Sequence, residues 1–164
     1  MRVPIRKPGK YTHMQLDLTM TQAKLDALKS KLEHLKTVNL PKAIKETQQY
    51  GENGDFSENA EYQIAKGRLR SLNRQIEKLN YDINHATVIA ATTDTATVQI
   101  GHTVRLQTPA GEQTFQILGS TETNPTAGVI SFKSPLGAAL LGKAIHNTIM
   151  VRNSSYTILK ILSN

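Results

Sequence analysis

The chain has no cysteine and no tryptophan, and only three phenylalanines among its 164 residues. Without cysteine there is neither a disulfide framework nor a thiolate metal site, which fits a reducing compartment and leads to the expectation of a cytoplasmic protein. With so few aromatics a large aromatic core is not expected. No apolar run approaches membrane-spanning length, and no apolar signal segment follows the basic first ten residues. Membrane insertion and secretion are therefore not expected. A Walker loop, a Rossmann glycine pattern, an HExxH helix and a nucleophile elbow are all missing. His102 and His146 lie far apart in sequence without a partner set for a metal, so core-edge or surface roles are expected for both. The chain does not read as a free-standing enzyme.

What the chain does have is an excess of positive charge, +7, unevenly placed. Residues 1–19 carry four Lys/Arg against one acid, residues 20–89 eleven against nine, and residues 90–164 five against three. The balance favours an anionic partner, nucleic acid or an acidic protein surface. No segment is dense enough in Lys/Arg for a dedicated duplex binder. With Pro4, Pro8 and Gly9 among four basic residues, 1–19 reads as a flexible basic tail.

Residues 20–89 carry helical periodicity twice. Leu25, Leu28, Leu32 and Leu35 recur at steps of three and four, and so do Ala65, Leu69, Leu72, Ile76, Leu79, Ile83 and Ala86. The pattern predicts two helices folded back on each other as an antiparallel coiled-coil hairpin. Arms of about 30 residues give a rod of roughly 45 Å at 1.5 Å per residue. Pro41 falls inside the first arm and predicts a break or kink near Leu40, after which the pattern resumes through Ala43 and Ile44.

Between the arms stands Gly54-Asp55-Phe56-Ser57-Glu58-Asn59-Ala60-Glu61-Tyr62. Two readings of its acids stay open. Asp55 and Glu58 have capping-box spacing ahead of a helix, with Ser57 as a competing N-cap. Alternatively, carboxylate oxygens at an exposed tip can serve a hard cation, although two carboxylates cannot complete a Mg²⁺ shell, and a partner would supply the rest. Phe56 either folds against Tyr62 or docks into a partner. Lys66, Arg70 and Arg74 step by four and share one helix face, either simply solvated or placed to follow phosphates. Tyr50 and Tyr62 could add stacking.

Residues 90–97 have neither period and read as a linker. From 98 to 164 the pattern changes to short strands, at 103–107, 113–118, 129–132, 148–152 and 156–161, with turns at Pro109-Ala110-Gly111 and Asn153-Ser154. Ser134-Pro135 starts a short helix and Gly142 ends it. The fold class is α+β: a helical hairpin followed by a small antiparallel-sheet domain with one helix packed on it.

The tip sequence between two such arms resembles that of the bacterial GreA/GreB transcript cleavage factors. So do Asn84-His85-Ala86-Thr87-Val88-Ile89 at the hairpin's end and Ser134-Pro135 followed by Leu140-Leu141-Gly142-Lys143, and the likeness covers roughly residues 20–161. It implies a carboxy-terminal domain like the FK506-binding proteins, without prolyl isomerase activity, seated at the rim of the secondary channel of bacterial RNA polymerase. It implies a monomer whose coiled coil enters that channel, where Asp55 and Glu58 help the polymerase's own active centre hold a Mg²⁺ that this chain does not bind stably alone. The outcome would be stimulated cleavage of the nascent RNA 3′ end in backtracked complexes. Tyr50, Phe56, Lys66, Arg70 and Arg74 would face RNA or polymerase. Gly51 stands where well-known members have arginine, while Lys66 keeps the charge of a second such position, so RNA contact beside the tip is expected to differ. Features of both subtypes are present, and the short end after Tyr156 suggests a trimmed final hairpin. The competing classes are a channel-binding regulator that does not stimulate cleavage and a plain coiled-coil adaptor whose tip acids are caps.

Overall fold

The computed structural model describes residues 17–52 and 59–163. Its first part is the expected helical hairpin. α1 (Gln22–His34) runs into a π-helical turn (Leu35–Asn39) and then into α2 (Leu40–Gly51), while α3 (Ala60–Asn84) forms the return arm. Leu25, Leu35, Ala65 and Ile76 are buried, and Leu28, Leu32, Leu69, Leu72, Leu79 and Ile83 are half-buried, so one apolar seam joins the arms. Leu25 and Leu28 cluster with Ile83 and Ala86 at the base, which makes the arms antiparallel. At 25 residues, α3 is about 37 Å long.

The chain does not leave the helix at Pro41. Proline lacks the N–H that would bond to Thr37, and its ring crowds that carbonyl. The strain is taken up immediately upstream, where the N–H of Leu40 donates to the carbonyl of Leu35, five residues back. This inserted residue rotates the face of the first arm. The residues turned toward α3 continue as Leu40, Ala43, Thr47 and Tyr50, whereas Val38 and Ile44 are exposed. Ile44, read from the sequence as part of the resumed stripe, is therefore outside the seam.

The hairpin's base is fastened by a short parallel pair, β1 (Thr19–Met20) with β2 (Thr87–Val88). Residues 17–19, within the stretch read as basic tail, are already packed there: Leu18 is buried beside Met20 and Leu25.

The second part is a five-stranded sheet, β3 (Thr103–Thr108), β4 (Gly111–Leu118), β5 (Val129–Ser131), β6 (Thr148–Val151) and β7 (Ser154–Leu162), in the order β5-β4-β3-β7-β6. The sheet is mostly antiparallel but mixed, because β5 runs parallel to β4 while the other three pairings are antiparallel. Ten residues separate β4 from β5, including 3₁₀ turns at Ser120–Glu122 and Pro125–Ala127, and that length carries the chain back to start β5 alongside β4. Val104 and Leu106 alternate inward along β3. In β7 the register shifts between the partners of Arg105 and Leu106, and this bulge lets Ile158 and Ile161, three positions apart, both face the core. α4 (Pro135–Leu140) is capped by Ser134, whose Oγ accepts from the N–H of Gly137 at 3.0 Å, and it buries Leu140 against the sheet. The last hairpin pairs 148–151 of β6 with 154–157 of β7, and β7 continues to nine residues alongside β3.

Candidate functional site

At the far end of the rod one of the described side chains bridges the two arms. Asn59 precedes α3 in an extended conformation, and its Oδ1 accepts from the N–H of Tyr62 at 2.9 Å. Its Nδ2 donates across the hairpin to the carbonyl of Tyr50 at 2.9 Å. One residue thus satisfies an unpaired donor at the start of α3 and an acceptor in the last turn of α2. The sequence offers Asp55 with Glu58, or Ser57, as the cap; among the described residues α3 begins at Ala60 and Asn59 caps it. Asp55, Phe56 and Glu58 themselves lie outside the described residues. The sequence signal for Asn59 was its place before Ala60, since asparagine is among the best N-caps, but the capping-box spacing upstream masked it.

Asn59→Ala is expected to destabilise the hairpin by about 1 kcal/mol for the cap alone, with a further loss from the bond to Tyr50. Asn59→Asp should keep the cap and lose the cross-hairpin bond, since a carboxylate has no donor for the Tyr50 carbonyl. Thermal unfolding followed by circular dichroism ranks the two, and equal melting of both with the parent would remove this role from Asn59.

Along α3, Lys66 lies over the ring of Tyr62 with Nζ 5.5 Å from its centroid, a cation–π contact that directs the ammonium toward the rod's end. Arg70 and Arg74 are exposed, and the Arg74 Nε–H donates to the Arg70 carbonyl at 3.4 Å. Neither they nor Lys66 has a carboxylate within ion-pair distance among the described residues. Among the described residues, three cations thus line one helix face without an ion-pair partner. Tyr50 is half-buried at the end of α2, and Tyr62 borders a hollow with Thr47, Gly51 and Glu52. The structure therefore gathers Tyr50, Tyr62 and Lys66 at one end, with Arg70 and Arg74 one and two turns further along.

No group of three or more His, Cys, Asp or Glu among the described residues could hold a metal. The acids near the rod's end in sequence are Glu52, Asp55, Glu58 and Glu61, all hard oxygen donors with no histidine or cysteine among them. Glu52 and Glu61 are exposed. This donor chemistry suits Mg²⁺, while Asp55 and Glu58 alone fall short of its six ligands, so they fit an ion shared with a partner. His102 and His146 belong to the second part of the chain. His102 is buried, with Nδ1 accepting from the N–H of Gln99 at 3.2 Å, and His146 is exposed with a positive φ of 69°.

Two family models match the chain: the amino-terminal region of transcription elongation factors over residues 18–88, and the GreA/GreB carboxy-terminal region over 93–163. The chain is 38% identical over 140 residues to transcription elongation factor GreA of Macrococcus caseolyticus, covering 84% of this chain and 89% of that one. It is 34% identical over 146 residues to GreA of Mycoplasma mycoides, covering 87% and 93%. Among solved structures, GreA factor homolog 1 of Thermus thermophilus aligns over 87% of this chain and 97% of its own, with 22% identity and a TM-score of 0.41.

Proposed function

The chain belongs to the GreA/GreB family of transcription elongation factors, and from that premise we propose that it stimulates RNA cleavage by bacterial RNA polymerase from within the secondary channel. It is an accessory factor, and the bond-breaking centre is the polymerase's own. The observation that carries the reading is the rod itself: a long antiparallel hairpin whose two arms are tied together by Asn59 at the end where the chain holds Asp55 and Glu58. On this reading residues 20–89 reach inward, 90–97 link, and 98–164 dock outside, with a sheet and one packed helix in the manner of the FK506-binding proteins. The protein acts as a monomer in the cytoplasm, and residues 1–19 add a basic tail. Asp55 and Glu58 would hold one side of a Mg²⁺ shared with the polymerase, which when bound supports attack by water and departure of the RNA oxygen. Tyr50 and Phe56 would contact RNA or polymerase beside them. Asn59 holds the helix ends together, so the acids are presented on a fixed base rather than on fraying arms.

A backtracked, stalled elongation complex tests the whole reading. Release of a short 3′ RNA fragment and resumed elongation on adding the protein are expected. Binding with inhibition would make it a channel regulator, and no effect at any concentration would leave a coiled-coil adaptor.

On the same reading, Lys66, Arg70 and Arg74 follow the phosphates of the RNA 3′ segment. Changing all three to Gln should make the slope of log affinity against log salt shallower by about 2, as for three lost single-strand phosphate contacts. An unchanged slope across a salt titration of stalled complexes would reduce this face to a solvated surface.

A further inference from the structure

The rod and the sheet domain are joined by more than the linker. Two carboxylates cross between them in opposite directions. Glu122, in the 3₁₀ turn after β4, accepts from the backbone N–H of Thr21 at 2.7 Å through Oε2 and from the Thr21 hydroxyl at 2.6 Å through Oε1. Thr21 is the N-cap of α1, its Oγ1 accepting in turn from the N–H of Lys24 at 3.2 Å. The Glu122 charge therefore sits at the positive end of the helix that starts the rod, where an anion is favoured and its hydrogen bonds are charge-assisted. In return Asp17, just before β1, accepts from the N–H and the hydroxyl of Ser120 at 3.1 and 2.9 Å, and Lys133 stands 3.8 Å away. Burial pushes the Asp17 carboxyl up, but hydrogen bonds from Thr19 and Ser120 outweigh it and hold it below the usual aspartate value. Between the two carboxylates the backbones themselves touch: a Cβ on Gly119 would fall 1.6 Å from the carbonyl oxygen of Thr19. No other residue fits there without separating the two parts.

These contacts lie at the root of a long lever. The first arm runs 30 residues from Gln22 to Gly51, about 45 Å. A 5° tilt at Thr21 moves the far end by about 4 Å on that length. Displacements near 1 Å already cost about 100-fold where reacting groups must be aligned. We propose that Glu122 is a positioning residue: its two-point hold on the N-cap of α1 sets the direction of the rod against the sheet domain, and so the placement of the rod's end during RNA cleavage. The second half rests on the function proposed above, whereas the first stands on geometry alone.

The chain's lack of cysteine makes the test direct. Cysteines at exposed Gln49 and Thr126 carry a spin-label pair whose distance distribution reports rod direction. The parent is expected to give one narrow distribution. Glu122→Ala and Gly119→Ala should broaden or shift it, and Thr21→Ser, which keeps both bonds to Glu122, should leave it unchanged. In stalled complexes Glu122→Ala should lower maximal cleavage by about 10-fold, while the half-saturating factor concentration stays within about twofold. A merely structural role would instead move both together or neither. Unaltered distances in Glu122→Ala overturn the hold, and altered distances with full maximal cleavage overturn its link to the chemistry. A parent that stimulates no cleavage counts against the function reading, and the distance arm then decides the hold by itself.

Discussion

Asp55→Asn and Glu58→Gln are each expected to lower stimulated RNA cleavage by roughly 10–100-fold, the range for disturbing a metal's ligand environment. Polymerase binding and the helical hairpin should stay intact. The two substitutions keep side-chain size and remove only charge and ligating strength. Had Asp55 capped α3, the interpretation would be mixed, because an altered cap alters the helix. Asn59, bonded to the N–H of Tyr62 and the carbonyl of Tyr50, supplies both the cap of α3 and a bond between the arms, and it is unchanged in either variant. A neutral amide is a poor partner for Mg²⁺, which prefers charged and hard oxygens, so the loss should fall on the chemical step. Raising Mg²⁺ should return part of the rate in each single variant, and less in the double. The measurement is single-turnover cleavage of a backtracked complex at saturating factor, with binding followed in parallel. Parent rates in both variants would end the metal role.

The hairpin was legible because its apolar residues obey a local rule, the alternation of three and four, and the same residues form the seam. Pro41 was legible as a fault but not in its form. A π turn is chosen by the balance between a lost donor at Pro41 and the packing of α2 on α3, and the second term is tertiary. Its consequence, the rotation that leaves Ile44 exposed at 40%, follows only once the extra residue is seen. At the rod's end, the capping-box spacing of Asp55 and Glu58 drew the reading upstream, while Asn59, which bridges the arms, needs a partner nine positions away.

In the sheet domain, strand positions and the Ser134 cap could be read from alternation and turn residues. Strand direction could not. Whether β5 enters parallel or antiparallel depends on where a ten-residue connection lays the chain down, and that connection is held by contacts to the rod's base. The joint itself was invisible for the same reason: Glu122 and Thr21 are 101 positions apart, Asp17 and Ser120 103, and nothing local marks either pair. Residues 17–19 looked like tail because their neighbours are basic and proline-rich. They are ordered by what they meet across that distance.

The seam gives the other large effect. Ile76→Asp is expected to melt the rod far below the parent, and Leu72→Asp to do so less severely. Ile76 is buried midway along α3, with 9% of its surface exposed. Replacing it forfeits about 2–3 kcal/mol of apolar burial and leaves a carboxylate desolvated in the seam at a further cost of several kcal/mol. Leu72 is half-buried and borders a hollow of about 400 Å³ that Lys42, Arg68 and Glu46 also line, so an aspartate there finds water and two cations against one acid. The loss should be cooperative along the rod. Most helical stability in proteins comes from packing of an amphipathic face, and these arms hold their shape chiefly through each other. The base is different: β1 and β2 are hydrogen-bonded and Glu122 grips Thr21 from the sheet domain, so the last turns near Leu25 and Ile83 should survive longest. Helicity and melting by circular dichroism measure the order of the three proteins, and hydrogen exchange along α3 locates the surviving turns. Ile76→Asp melting with the parent would mean that the arms do not depend on this seam.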